Sequence, residues 1–340
     1  MADKAEAVRR GIPTLEEVAT RAGVSRATVS RVVNGHPTVR PEAVESVNRA
    51  IDELGYVPNR AARSLASNRT QAIALVVPET AARIFADPFF ASVVQGVATT
   101  LNDTDYTLTM LIGSENNAAK TRRYLLGGNV DGAIVISHHT GDHSYKDLGQ
   151  VLPVVFGGRP LGDSPGAVVV DVDNVDGASR AVTHLIGRGC RHIAAISGPQ
   201  DMRPGVDRRL GWQEALLMAG LTPGPEVVGD FSTESGLAAA RRLLELDPTV
   251  DGLFAANDQM AMGALQALRE AGLHVPDDVA VVGYDDSFFS STIEPPLTTM
   301  RQPMIAMGSE LATTLVALIE GRPVDPVTLL RAKLVVRASA

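Results

Sequence analysis

Three polar residues of unlike chemistry stand out: Asp285 in Gly283-Tyr284-Asp285 and Asn257 in FAANDQ just beyond short apolar runs, and Arg208 in DRRLGW at the entrance of a helix. A carboxylate accepts hydrogen bonds, an amide accepts and donates, and a guanidinium donates in a fixed fork. Together they suit a polyhydroxylated sugar or a nucleoside-like ligand. Phe89, Phe90 and Phe254 supply apolar faces of the kind that stack on a sugar ring or a base. Asp173, Asp201 and Met202 are weaker members of the set. Trp212, one turn beyond Arg208, is expected as core beneath that helix and is carried with the set.

Other strings that could carry chemistry are weaker. Gly162-Asp163-Ser164-Pro165-Gly166 has the spacing of a hydrolase nucleophile elbow. That chemistry needs a backbone N–H after the serine, and Pro165 has none. His138, His139, Asp142 and His143 have metal-binding atoms but irregular spacing, and read as a solvated loop at a pocket rim. There is no phosphate-binding or dinucleotide string. The single cysteine, Cys190, excludes a disulfide framework or a multi-cysteine zinc site within one chain. No metal, cofactor or enzymatic activity is expected.

A different constellation lies near the N-terminus. In TLEEVATRAGVSRATVSRVVN (residues 14–34), Leu15, Val18, Ala19, Ala22, Val24, Val29, Val32 and Val33 recur at helical spacing, with a break at Ala22-Gly23-Val24. Gly23 suits the tight backbone of a turn, and Ser25 the N-cap of a second helix. Arg26, Thr28, Ser30, Arg31 and Asn34 then offer charged or hydrogen-bonding groups from that helix. Two short helices around a tight turn are the helix-turn-helix plan, whose second helix enters the major groove. A third helix is expected over 41–54. Val44, Val47, Ile51 and Leu54 share a face, Pro41 suits the first position and Gly55 the stop, while Arg40 stands where a capping Ser or Thr would be stronger.

The 340 residues carry a net charge of −8, which as an average disfavours nucleic acid. Residues 1–70 hold 11 Lys/Arg and 8 Asp/Glu, a balance of +3, and the other 270 hold 20 and 31, a balance of −11. A basic module on an acidic body confines any polyanion to the first part. The start, MADKAEAVRRG, lacks an apolar signal core, and no apolar run reaches the ~20 residues that span a bilayer, so a cytoplasmic location is expected.

From residue 72 the pattern changes. Apolar runs at 73–77, 107–112, 132–136, 154–156, 168–170, 193–196, 252–255 and 279–282 alternate with helical stretches near 89–101, 117–126, 174–188, 208–219, 233–246, 258–271 and 302–320. Continuous apolar strands joined by helices predict parallel sheets covered on both faces. Some 270 residues are enough for two stacked lobes. Ligands in such sheets bind beyond the carboxyl ends of the strands, where Asp285 and Asn257 stand. The strand-like LLRAKLVVR near the end is expected to join one sheet.

These strings resemble the LacI/GalR family of bacterial transcription regulators. The resemblance runs from TLEEVATRAGVSRATVSRVVNG and ELGYVPNRAARSLAS to VDGLFAANDQMAMGALQAL, VAVVGYDD and PPLTTMRQP, nearly the whole chain. It implies a helix-turn-helix headpiece (1–57), a hinge helix (58–70) and a two-lobed body like a periplasmic sugar-binding protein (71–340). Lobe 1 is expected over about 71–165 and 297–322, and lobe 2 over 166–296 and 323–340. The resemblance implies DNA contacts at Thr14, Leu15, Ser25, Arg26, Ala27, Thr28, Ser30, Arg31, Asn34 and Tyr56. Of these, Arg26, Ala27 and Arg31 stand where base edges are read. The hinge would add Asn59, Arg60, Ala62, Arg63 and a Leu65 wedge in the minor groove, and a helix this short would order only on DNA. Many relatives carry a polar side chain after the strand that ends at Phe156, where this chain has Gly157-Gly158-Arg159. Arg159 is therefore expected to extend into the cleft. The implied protein is a dimeric repressor of a near-palindromic operator, controlled by a small carbohydrate-like effector. A solute-binding protein without catalytic activity is the alternative.

Overall fold

The computed structural model describes residues 13–33, 38–57, 69–113, 118–140, 148–162 and 165–340. They form two compact units that divide between Gln71 and Ala72.

In the first unit, α1 (Leu15–Ala22) begins with a capping box. The Thr14 hydroxyl accepts from the Glu17 N–H at 3.2 Å, and the Glu17 carboxylate accepts from the Thr14 N–H at 2.7 Å. Gly23 ends the helix at φ 69°, the left-handed conformation that glycine adopts without cost. Ser25 caps α2 (Arg26–Val33) by accepting from the Thr28 N–H. As the sequence predicts, α3 (Pro41–Leu54) starts without a side-chain cap at Arg40 and stops at Gly55, φ 63°. Val18, Ala19, Val29, Val47, Ala50 and Tyr56 form the core. The Ser46 hydroxyl ties α3 to the end of α1 through the Ala22 carbonyl. The expected hinge residues Asn59, Arg60, Ala62, Arg63 and Leu65 lie outside the described residues, as does Asn34.

The second unit holds two six-stranded sheets. Their strands are β1 (Ala72–Val77), β2 (Thr107–Ile112), β3 (Gly132–Ile136), β4 (Val154–Gly157), β5 (Val168–Val172), β6 (Ile193–Ser197), β7 (Glu226–Val228), β8 (Gly252–Ala255), β9 (Ala280–Asp285), β10 (Thr298–Arg301), β11 (Val327–Leu330) and β12 (Lys333–Val335). The helices are α4 (Ala81–Ala86), α5 (Pro88–Leu101), α6 (Ala118–Leu126), α7 (Asn174–Gly187), α8 (Arg203–Met218), α9 (Thr233–Leu246), α10 (Asp258–Glu270) and α11 (Met304–Ile319). Lobe 1 has the order β11-β5-β4-β3-β1-β2, and lobe 2 the order β12-β10-β9-β8-β6-β7. Every pairing is parallel except β10 with β12. The strands are continuous apolar runs because helices cover both faces.

The seams between the lobes differ from the sequence expectation. β5 pairs with β4 in lobe 1 (Val155 beside Val168), so the chain leaves that lobe after Val172 and not near 165. β10 pairs with β9 in lobe 2 (Thr298 beside Val282), so the chain returns after Arg301 and not at 297. LLRAKLVVR is split at Arg331-Ala332. β11 pairs with β5 in lobe 1, and β12 with β10 in lobe 2. The physical reason is coverage: a strand buried on both faces needs a neighbour at each edge, and β11 and β12 supply the outermost ones. α8 also begins earlier than expected, because Pro204 serves its first turn.

Candidate functional site

The carboxyl ends of the strands in both lobes face one cleft of about 740 Å3, open volume included, within the size range of small-molecule sites. Arg208 on α8 is its best-anchored polar group. Its Nε donates to Asn174 Oδ1 at 2.9 Å and its Nη1 to the Ala256 carbonyl at 2.6 Å. Asp285 Oδ1 lies 3.5 Å from that nitrogen, and the guanidinium carbon sits 3.9 Å from the centre of the Tyr284 ring. A cation so fixed keeps its orientation without a ligand.

Asp285 ends β9 with φ at 116°, a strained position for a side-chain-bearing residue. Gln302 donates to it at 2.5 Å. Burial pushes its carboxyl well above the usual range, against the pull of Arg208. Asn257 has two duties. Its Oδ1 accepts from the Met260 N–H as the cap of α10, and its Nδ2 donates to the Phe231 carbonyl at 2.9 Å. That second bond holds Phe231, itself left-handed at φ 70°, against the cleft. Asp87 caps α5 by accepting from the Phe89 N–H, and burial raises its carboxyl too.

Six of the ten expected effector residues line this cleft: Phe89, Phe90, Met202, Arg208, Asn257 and Asp285. Four do not. Trp212 and Phe254 are each 1% exposed and belong to the core. Asp173 caps α7 through the Asp176 N–H. Arg159 is turned to Asp171 and Asp207 and so does not extend into the cleft. Asp201 binds the ring of His139. His138, expected in a loop at a pocket rim, lines the cleft; sequence reading missed Arg83, Asp87, Asp171, Asn174, Arg203, Phe231, Gln302 and Met307, which line it too. Asp171 had a signal, a lone carboxylate in the apolar run VVVDV. Phe231 had none, because the three-residue strand β7 that precedes it is too short to read. At Gly157 a Cβ would come within 2.7 Å of Ile136 Cγ2, so the wall there is bare backbone.

On the first unit, Ser25, Arg26, Ala27 and Arg31 are exposed, and Thr28 and Ser30 half-buried. Arg26 meets Glu16 at 2.9 Å in an exposed pair that water and salt weaken. Thr14 and Leu15 start α1, Thr14 exposed and Leu15 half-buried. Tyr56 is a correction: its ring is packed into the headpiece core, 7% exposed. Among the described residues no group of three or more His, Cys, Asp or Glu could hold a metal. No described helix is long and apolar enough to cross a membrane.

A helix-turn-helix unit carried with a two-lobed, cleft-bearing sensor defines a ligand-responsive DNA-binding protein. Residues 14–59 match the family model "Bacterial regulatory proteins, lacI family", and residues 182–340 match "Periplasmic binding protein-like domain". The HTH-type transcriptional regulator CelR of Thermobifida fusca is 48% identical over 97% of this chain and 99% of its own length. A ribose operon repressor of Halalkalibacterium halodurans is 34% identical, with 92% of each chain covered. Among solved structures, a transcriptional regulator CelR–cellobiose complex superposes with a TM-score of 0.76 at 44% identity, over 96% of this chain and 100% of that one. The lac repressor dimer bound to operator and the anti-inducer ONPF gives 0.86 at 30% identity, over 96% and 98%. The chain therefore belongs to the LacI family of bacterial regulatory proteins and is a DNA-binding transcription regulator.

Proposed function

We propose that the chain is a dimeric repressor whose operator affinity is set by cellobiose or a closely related glucose disaccharide. The observation that carries this reading is the fixed Arg208–Asn174–Asp285 set beside the Phe231 wall, in a chain 48% identical to CelR. Arg208 donates to sugar hydroxyls, Asp285 accepts from them, and Asn257 does either. Phe89, Phe90 and Phe231 give the apolar faces against which the C–H face of a glucose ring packs.

In the operator complex, α2 lies in the major groove of each half-site. Arg31, exposed on α2, reaches a guanine, a contact worth about 1–3 kcal/mol of discrimination. Ala27 meets a thymine methyl. Arg26 exchanges Glu16 for DNA. Two-fold symmetry makes the operator near-palindromic. Cellobiose shifts DNA affinity only by its differential affinity for two sensor arrangements. No catalytic step is involved, and the protein acts where the chromosome is, in the cytoplasm.

The test titrates the chain onto the DNA upstream of its own gene, with and without cellobiose, by fluorescence anisotropy. Cellobiose is expected to weaken binding several-fold, and Asp285→Ala or Arg208→Ala to abolish that response while leaving DNA affinity unchanged. A cellobiose response untouched by both substitutions would place the effector elsewhere.

A further inference from the structure

The two lobes are tied beside the cleft by polar contacts between their own side chains. Arg159, just after β4 in lobe 1, sends Nε to Asp171 Oδ2 at 2.9 Å and Nη2 to Asp207 Oδ2 at 2.5 Å. Its backbone N–H also donates to Asp171. Asp171 belongs to β5 of lobe 1 and Asp207 to α8 of lobe 2, and both are buried. A buried carboxylate needs a partner. A second arginine crosses the other way. Arg203 of lobe 2 donates to the Pro160 carbonyl of lobe 1 at 3.2 Å and stands 3.5 Å from Asp207. Elsewhere on the seam the His139 ring of lobe 1 meets Asp201 of lobe 2 at 2.7 Å, and the Thr140 N–H donates to the Asp201 carbonyl. Neither Arg159 nor Asp207 lines the cleft.

We propose that Arg159 is a positioning residue that latches the lobes: bound at once to Asp171 and Asp207, it holds the cleft closed before an effector arrives and so raises effector affinity. An effector that touches both lobes binds the closed arrangement. Its apparent affinity scales with the fraction of molecules already closed. In the closed arrangement Asp207 has two arginines, and in an opened one it keeps Arg203 and water. The guanidinium is one-third exposed, so the bridge is worth a partly solvated charged hydrogen bond, roughly tenfold in the closed-to-open ratio. The wall at Gly157 is consistent with this division of labour. With no side chain there to span the cleft, the contact between lobes is made two residues later.

The latch rests on the reading of the cleft as the sugar site, but it has a readout that needs no sugar. Spin labels at Leu126→Cys in lobe 1 and Leu217→Cys in lobe 2, both exposed, report the interlobe distance in the full-length chain. Without ligand, Arg159→Gln and Asp207→Asn are each expected to broaden that distance toward longer values. Each should also weaken cellobiose binding in calorimetry by the fall in the closed fraction, between about twofold and at most tenfold. The double variant should be no worse than either single, and Arg159→Lys should recover part of the loss. Asp207→Asn changes no volume and keeps the test alive should Arg159→Gln not fold. Unchanged ligand-free distances in the singles would overturn the latch, as would a double variant whose losses add. If the parent chain binds no cellobiose, the proposed effector falls while the distances still decide the latch.

Discussion

His139 places each ring nitrogen on a carboxylate: Nδ1 faces Asp201 at 2.7 Å and Nε2 faces Glu79 at 3.1 Å. Two acceptors need two N–H donors, so the ring is a cation. The Glu79 hydrogen bond, helped by Asp201 and opposed by burial, raises its pKa from 6.5 to about 9. Arg83, 3.5 Å from Glu79, is the other charge at this point, and the neighbouring ring is His138. A folded pKa above the unfolded value gives stability that is complete below about pH 6.5 and is lost as pH rises through about 9. Asp201 is half exposed, which discounts the gain to about 1–3 kcal/mol. Urea denaturation of the chain and of His139→Gln should therefore differ most at pH 6 and converge by pH 10. A gap of constant size across that range would mean the ring is neutral. At this scale a place on the cleft wall is legible where chemistry stands at a strand end, as with Asn257 and Asp285. It was read poorly where two residues compete for one place. Arg159 looked like a cleft residue because nothing in sequence shows that Asp171 and Asp207 are nearer.

Helix packing depends on bare backbone at particular positions. A Cβ on Gly308 of α11 would press into the Val93 carbonyl of α5, and one on Gly96 of α5 into the Ile305 carbonyl of α11. Gly308→Ala must therefore separate two helices that cover the lobe 1 sheet, and overpacking of this kind costs about 1–3 kcal/mol. Thermal unfolding of the sensor should fall by several degrees, and an unchanged midpoint would show that the pair can slide apart freely. The helices themselves were legible. α3, α9 and the strands β2, β3 and β8 lie where periodicity and punctuation put them. The three-residue β7 was not, and in LLRAKLVVR the strand character was legible but not its split into β11 and β12, since three or four residues of half-exposed strand carry too little pattern. Lobe membership was missed for a related reason. It is set by which strand lies beside which, a long-range fact that local sequence does not hold.

Over the whole molecule, the +3 first 70 residues and the −11 remaining 270 predict separable responses to salt. Raising salt from 50 to 200 mM should weaken operator binding steeply, because phosphate contacts release counterions. The same change should leave cellobiose affinity within about twofold, since a neutral sugar in a hydrogen-bonding cleft displaces no ions. Anisotropy and calorimetry on one preparation check both, and a parallel loss would mean that the two units do not divide these tasks. The interleaving of the lobes has a consequence for biosynthesis. Lobe 1 contains β1 and β11, and lobe 2 contains β6 and β12, so each sheet takes strands from distant parts of the chain. While the chain is still emerging from the ribosome, the lobe 1 sheet lacks an edge until the stretch through Leu330 has left the exit tunnel, and the lobe 2 sheet until the stretch through Val335 has. The headpiece, whose core among the described residues is drawn from residues 15–56, has no such wait. The DNA reader is thus finished about 280 residues before the sensor that is to control it.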